Sequence, residues 1–213
     1  MADAAARVAG LHLVTDSTLC GARGVLAVVE AAVRGGTRVV QLREKTLATR
    51  AFVERARALK ALLSPLGVPL IINDRLDVAL ACGADGVHVG QDDLSPEDVR
   101  RWLPHALVGL SIERIDQLAA AERLPVDYYG ASPVFATATK TDAAPALGLD
   151  GLRALRSRCR RPLVAIGGID EHNAAAAMAA GADALAVVSA LCAAADPEAA
   201  ARRLCAAMET KHP

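Results

Sequence analysis

Charged and polar side chains follow the β-rich runs of this sequence at the points where the runs end. They are Gln41, Arg43 and Lys45, then Asn73 and Asp74, then Asp92 and Asp93, then Ser111, and finally Lys140 in a polar segment. Lysine and arginine bind phosphate oxygens, whereas Mg²⁺ takes one or two protein carboxylates and completes its shell with phosphate and water. Cations and metal together neutralise the charge that builds up on a leaving pyrophosphate. These residue types therefore predict a site for a Mg²⁺-bound pyrophosphate.

A second set of residues near the C-terminus has the composition of a phosphate site. Gly167 and Gly168 follow the run PLVAIGG, and Val188 and Ser189 follow the run ALAVVS. Glycine lets backbone N–H groups approach a phosphate closely, although these glycines could also simply turn the chain. The irregular segment 132–148 adds hydroxyl donors and the cation of Lys140, and a long polar loop of this kind is typical of a lid.

The elements that must position these residues form a regular alternation. Eight β-rich runs lie at 11–15, 38–43, 69–73, 86–90, 106–111, 127–132, 162–168 and 184–189. Helical patterns lie between them at 24–36, 49–67, 93–103 and 170–182. A mean spacing of about 25 residues suits one strand, one helix and their loops. Eight such units predict a (β/α)₈ TIM barrel, with an open doubly wound sheet as the alternative.

The same pattern predicts one domain over residues 1–213, with a flexible N-terminus at 1–10. Serine 95 is expected to cap one helix, with Pro96 at its first position, and Asp170 to cap another. The stretch 79–90 also repeats at 177–188, each copy passing from helix to strand through Gly-Ala-Asp. A repeat of this kind indicates one supersecondary unit that is used more than once.

Composition narrows the classes of function. The 213 residues carry 24 basic and 24 acidic side chains, so the formal net charge is zero, and aromatic residues make up only 2%. This balance disfavours nucleic-acid and anionic-membrane partners and favours small-molecule substrates. No apolar run approaches the ~20 residues of a membrane span, and the first residues lack the apolar core of a signal peptide. Five scattered cysteines are typical of reduced thiols in the cytoplasm.

Several longer motifs resemble one family of enzymes. They are LHLVTD, VVQLREK, LIINDRLDVALACGADGVHVGQDDL, SPVFATATKTDAAPALGLDGL, PLVAIGGID and GADALAVVSAL. They are similar to the thiamine-phosphate synthase (thiamine-phosphate pyrophosphorylase) family, and the resemblance runs from residue 11 to residue 191. INDR followed by GVHVGQ-x-DL, and the Thr-x-Thr-Lys loop, are the specific parts of the match. The resemblance implies a transferase that joins hydroxymethylpyrimidine pyrophosphate to a thiazole phosphate with Mg²⁺, yielding thiamine phosphate and pyrophosphate.

The resemblance also implies a role for each matching residue. The pyrimidine pyrophosphate would be held by Gln41, Arg43, Lys45, Asn73, Ser111 and Lys140. Of these, Arg43, Lys45, Ser111 and Lys140 would act directly on the leaving group. Asp74 and Asp93 would bind Mg²⁺, while the role of Asp92 is left open. The thiazole phosphate would be held by Thr137, Thr139, Gly168, Val188 and Ser189.

The mechanism implied is dissociative. The amino group of the pyrimidine expels pyrophosphate and leaves a stabilised carbocation, which the thiazole nitrogen attacks. Such a site needs charge, orientation and exclusion of water rather than a strong base. The family pattern is not matched at Ile112, Glu113, Ser132, Ala136 and Thr141, so the contacts of those loops are open.

Three alternatives remain from the sequence. A thiazole tautomerase would share the barrel and the thiazole cradle but would not need the pyrophosphate residues. An isomerase would use His88 as a base, although a histidine within a strand is more often packed in the core. A non-catalytic phosphometabolite-binding barrel would dispense with the paired acids. The Ala-rich outer helices leave both a monomer and a homo-oligomer open.

Overall fold

A computed structural model describes residues 4–137 and 144–209 of the chain. Eight strands form one closed parallel barrel in sequence order, and β1 pairs with β8 to complete it. The strands are β1 Gly10–Val14, β2 Thr37–Leu42, β3 Leu70–Asn73, β4 Gly86–Val89, β5 Leu107–Ile112, β6 Tyr128–Ala131, β7 Leu163–Ile166 and β8 Ala184–Val187. The predicted TIM barrel is confirmed, and each predicted run overlaps one of these strands, with bounds that differ by at most two residues.

Helices connect the strands and cover the outside of the barrel. They are α1 Ala4–Val8, α2 Ser17–Cys20, α3 Gly24–Arg34, α4 Thr49–Leu63, α5 Leu76–Cys82, α6 Pro96–Trp102, α7 Leu118–Ala121, α8 Gly148–Arg156, α9 Ala174–Ala179, α10 Ser189–Cys192 and α11 Pro197–Glu209. Short 3₁₀ turns lie at Gly21–Arg23, Ser64–Leu66 and Ile115–Gln117. Within the described part of the chain, no helix is both long enough and apolar enough to cross a membrane.

The hydrophobic core has two layers because both faces of a parallel barrel are covered. The larger layer lies between the strands and the outer helices and contains Leu13, Leu42 and Leu163, which are fully buried. The smaller layer fills the interior of the barrel and includes Val39, Ile71, Leu107, Tyr128, Val164 and Ala184. Alternate residues along each strand therefore face the two layers.

The aspartate of the repeated Gly-Ala-Asp motif makes the same kind of contact in both copies. Asp85 Oδ2 accepts a hydrogen bond from the Leu70 backbone N–H at 2.8 Å. Asp183 Oδ2 accepts one from the Leu163 N–H, also at 2.8 Å. A basic side chain of a preceding helix pairs with each carboxylate. The motif thus ties the start of one strand to its neighbour at the N-terminal end of the barrel.

Two local predictions differ from the structure. The segment 1–10 is expected to be flexible, but Ala4–Val8 is helical, and Val8 packs in the interior layer with 1% of its surface exposed. Asp170 does not cap the following helix directly. Its Oδ1 accepts from the backbone N–H groups of His172 and Asn173 in a turn, and α9 begins only at Ala174. Ser95, by contrast, caps α6 by accepting from the Asp98 N–H at 3.1 Å, as predicted.

Candidate active site

A cavity of about 380 Å³ lies at the C-terminal end of the barrel strands. Most of the residues predicted for the site line it together: Gln41, Arg43, Lys45, Asn73, Asp74, Asp93, Ser111, Thr137 and Val188. Asp92, whose role was left open, lines it as well. The carboxyl ends of parallel strands meet on one face of a barrel, which brings residues up to about 150 positions apart into one cavity.

The rim of the cavity carries a cluster of opposite charges. Lys45 Nζ donates to Asp74 Oδ2 at 2.6 Å, and this pair joins the loops after β2 and β3. The Arg43 guanidinium lies 4.0 Å from Asp16, with 23% of its side chain exposed. Each cation therefore faces a carboxylate that belongs to a different loop.

Asp74 is the most constrained residue of the rim. It is the only non-glycine residue with positive φ (63°) among those the structure describes. Its Oδ1 accepts from Asn73 Nδ2 at 2.6 Å, and its backbone N–H donates to the His88 carbonyl at 2.9 Å. Left-handed backbone of this kind costs energy and is concentrated at functional sites. This strained backbone places the Asp74 carboxylate in the cavity.

Neighbouring groups shift the pKa of the Asp74 carboxyl in opposite directions. Burial raises the pKa of the Asp74 carboxyl, the Lys45 ammonium lowers it, and the facing Asp93 carboxyl raises it again, with a net upward direction. Asp93 Oδ2 accepts from the Gly90 N–H at 2.8 Å, which orients it. Two acids that face each other suit a divalent cation, because it would offset their mutual repulsion. The described residues contain no group of three or more His, Cys, Asp or Glu side chains that could hold a metal.

Below the rim, a chain of hydrogen bonds runs through the barrel interior. His88 Nε2 shares a hydrogen bond with Ser111 Oγ at 2.9 Å, and His88 Nδ1 shares one with the Tyr128 hydroxyl at 3.0 Å. Burial lowers the pKa of His88 from 6.5 to about 4, so the imidazole is neutral at pH 7. Gln91 Nε2 donates to the Ser111 carbonyl at 2.6 Å. Hydrogen bonds therefore fix both the hydroxyl group and the main-chain carbonyl of Ser111.

Two glycines make room for this chain of hydrogen bonds. A Cβ at Gly109 would lie 2.2 Å from Tyr128 Cζ and 2.3 Å from His88 Nδ1, and one at Gly130 would lie 3.0 Å from His88 Cε1. His88 is packed, as the sequence favours, but it also borders the cavity and contacts Ser111. His88 therefore helps to orient the hydroxyl group of Ser111.

The predicted phosphate residues are only partly on the cavity surface. Gly167 and Val188 line the cavity, whereas Gly168 and Ser189 are the next residues along and do not line it. Gly167 has φ 99°, and a Cβ there would lie 2.5 Å from Pro133 Cβ. Both Gly167 and Gly168 have positive φ and admit a close neighbour, so they turn the chain here, and their phosphate role stays a prediction. Thr139, Lys140 and Thr141 lie outside the described residues.

The floor of the cavity is not predicted from the sequence. It is made by interior residues of four strands and one loop: His12, Val14, Tyr128, Val164, Ile166, Ala186 and Pro133. Period-two alternation along β1, β6, β7 and β8 could have identified the inward positions. The cavity lining is thus charged at the loops after β2, β3 and β4 and apolar along β7 and β8.

The sequence matches a known protein family over most of its length. The model of the family described as thiamine monophosphate synthase matches residues 11–191. The chain belongs to this family. A thiamine-phosphate synthase of Albidiferax ferrireducens is 56% identical over 179 residues, which cover 84% of this chain and 82% of the relative. One of Azorhizobium caulinodans is 53% identical over 179 residues, 84% of each protein.

A solved structure supports the same assignment at the level of the fold. Thiamine phosphate pyrophosphorylase of Pyrococcus furiosus superposes with a TM-score of 0.87 at 34% identity, over 94% of this chain and 95% of that one. As a member of the thiamine monophosphate synthase family, the chain is an enzyme of the transferase class and acts in thiamine biosynthesis.

Proposed function

We propose that the enzyme transfers the pyrimidinylmethyl group of hydroxymethylpyrimidine pyrophosphate to the nitrogen of a thiazole phosphate. The observation that carries this proposal is the pairing of Lys45 with Asp74 beside Arg43 and Asp93, in a cavity whose lining along β7 and β8 is apolar. A charged rim suits the pyrophosphate, and an apolar floor suits an uncharged aromatic ring. The family membership makes thiamine phosphate the product expected.

The residues present fit a Mg²⁺ ion. Asp74 and Asp93 supply two carboxylates that face each other, and burial, followed by the nearby Asp93 carboxyl, raises the pKa of Asp74. Two protein carboxylates are what Mg²⁺ ordinarily takes when phosphate oxygens and water complete its shell. When bound, the ion would supply charge that stabilises the leaving pyrophosphate.

The chain's own residues have distinct tasks in this reaction. Arg43 and Lys45 bind the pyrophosphate and stabilise the negative charge that grows as the C–O bond breaks. Gln41 and Asn73 orient the substrate, and Ser111, held by His88, offers a hydroxyl to the pyrimidine side of the cavity. Pyrophosphate leaves with the electron pair of the broken C–O bond. The thiazole nitrogen then donates its lone pair to the methylene carbon of the carbocation, forming the new C–N bond.

The floor of the cavity protects the intermediate. Val164 and Ala186 offer no nucleophile to a carbocation, and the Tyr128 hydroxyl is engaged in its hydrogen bond with His88. Neutral His88 is not needed as a base, because the amino group of the pyrimidine provides the electron push. Exclusion of water and orientation of two partners account for the architecture.

The alternatives are disfavoured by specific residues. A thiazole tautomerase does not need pyrophosphate residues, and a phosphometabolite sensor does not need paired acids, so the Lys45–Asp74 pair and the strained backbone of Asp74 disfavour both. We also propose that the enzyme works in the cytoplasm on small phosphorylated molecules. Its five cysteines are free thiols, which agrees with a reducing compartment.

A coupling assay tests the proposal. Purified enzyme is incubated with hydroxymethylpyrimidine pyrophosphate, thiazole phosphate and Mg²⁺, and thiamine phosphate is measured after oxidation to a fluorescent product. Product should form, should disappear with EDTA, and should fall about 100-fold in Lys45→Ala, because one donor to a developing anion is lost. Lys60→Ala is the matched control, since Lys60 pairs with Asp85 at 2.7 Å at the opposite end of the barrel. Folded wild-type enzyme that binds thiazole phosphate yet makes no product would overturn the proposal.

A further inference from the structure

The loop after β2 carries three consecutive charged residues with different environments. Arg43 and Lys45 line the cavity, with 23% and 54% of their side chains exposed. Glu44 between them has only 1% of its side chain exposed and does not line the cavity. The Glu44 side chain therefore points away from the cavity that its two neighbours line.

The buried Glu44 carboxylate is paired on both oxygens. Its Oε1 accepts from Arg55 Nη1 on α4, and its Oε2 accepts from Ser17 Oγ on α2 at 3.1 Å. A buried carboxylate is tolerated only where charge and hydrogen bonds compensate it. Glu44 therefore ties the loop to two helices that lie on either side of it.

The main chain of the same loop is held by a third contact. The Arg43 backbone N–H donates to Thr15 Oγ1 at 3.0 Å, and Thr15 is fully buried at the end of β1. The Thr15 N–H in turn donates to the Gln41 carbonyl at 2.9 Å. Together with the bonds of Glu44, these contacts fix the backbone from which both cations project.

We infer that Glu44 is a positioning residue, which holds Arg43 and Lys45 in the geometry that receives the pyrophosphate. This inference rests on the proposed function. A loop that is already ordered loses little conformational freedom when the substrate binds, whereas a mobile loop would lose more. The ordered loop should strengthen binding of the pyrophosphate substrate only. The thiazole phosphate is expected near Thr137 and Val188, which lie on other loops.

The test is the selectivity of the kinetic effect. In Glu44→Gln the carboxylate loses its charge and Arg55 loses its ionic partner, so the loop is held less firmly. We expect the KM for the pyrimidine pyrophosphate to rise about tenfold, while the KM for the thiazole phosphate changes less than twofold. Asp183→Asn is the matched control. It removes a carboxylate that pairs with Arg156 and caps the Leu163 N–H at the other end of the barrel, and it should change neither KM.

A milder variant covers the case in which Glu44→Gln does not fold. Ser17→Ala removes one of the two contacts and leaves the Glu44–Arg55 pair intact, and it should raise the same KM about two- to threefold. An equal rise of both KM values, or no rise in either variant, would overturn the inference.

A binding measurement separates this inference from the proposed function. Calorimetry with inorganic pyrophosphate and Mg²⁺ reports on the loop even if wild-type enzyme makes no thiamine phosphate. Weaker pyrophosphate binding in Ser17→Ala than in wild type supports the role of Glu44, and unchanged binding refutes it. Absence of product in the wild-type coupling assay bears on the proposed function alone.

Discussion

A buried histidine in the barrel interior makes the stability of this enzyme depend on pH in a predictable way. His12 lies on β1 with 2% of its surface exposed, and its Nε2–H donates to the Val8 carbonyl at 2.6 Å. Burial lowers the pKa of His12 from 6.5 to about 4, against the smaller upward effect of that hydrogen bond. The folded protein thus keeps His12 neutral at pH values where the unfolded chain protonates it.

The sign and size of the effect follow from this difference. Between pH 6.5 and pH 4 the unfolded state binds one more proton at this position, so the free energy of unfolding falls as the pH falls. Each pKa unit is worth about 1.4 kcal/mol, and the interval from pH 6.5 to pH 5 spans about 1.5 units. His12 should therefore cost about 2 kcal/mol of stability at pH 5 compared with pH 7.5.

Urea denaturation at the two pH values isolates this contribution when wild type is compared with His12→Gln. Glutamine does not titrate but keeps an N–H donor for the Val8 carbonyl. The stability lost between pH 7.5 and pH 5 should be about 2 kcal/mol smaller in the variant. His88, whose pKa burial also lowers to about 4, is present in both proteins, so only its coupling to the charge of His12 differs between them.

A surface histidine supplies the control for the change of residue type. His105→Gln alters an exposed position and should lose as much stability as wild type over the same interval. If His12→Gln also loses as much as wild type, then His12 is not neutral in the folded protein, and the argument from burial is wrong.

Three further predictions concern the site itself. Gly109→Ala places a Cβ 2.2 Å from Tyr128 Cζ, and it should cost about 1–3 kcal/mol in urea denaturation and lower kcat in the coupling assay. Gly167→Ala combines φ 99° with a contact of 2.5 Å to Pro133 Cβ, so it should raise the KM for thiazole phosphate more than that for the pyrimidine substrate. Asp74→Asn keeps a residue that tolerates positive φ but removes a carboxylate, and it should raise the Mg²⁺ concentration for half-maximal turnover at least ~10-fold in a Mg²⁺ titration. An unchanged Mg²⁺ requirement would remove Asp74 from the metal site.

The architecture was open to prediction because its determinants are local. Hydrophobic runs, helix caps and glycine exits repeat along the chain, and eight repeats are the number that closes a barrel. Once the barrel is assumed, its geometry places the ends of the strands on one face. Arg43, Lys45, Asp74 and Asp93 could thus be assigned to one site before any contact was known.

Other features were decided only by tertiary structure. The left-handed backbone of Asp74 and the inward direction of Glu44 depend on which neighbours pack against each loop, and a charged residue in a loop is ordinarily taken to be solvated. The bond between His88 and Ser111 depends on β4 and β5 lying in one register, in which His88 pairs with Gly109. Residue types and their spacing along the chain determine which groups reach the face of the barrel. Their orientation is set by contacts between residues distant in sequence, and those contacts exist only when the barrel has closed.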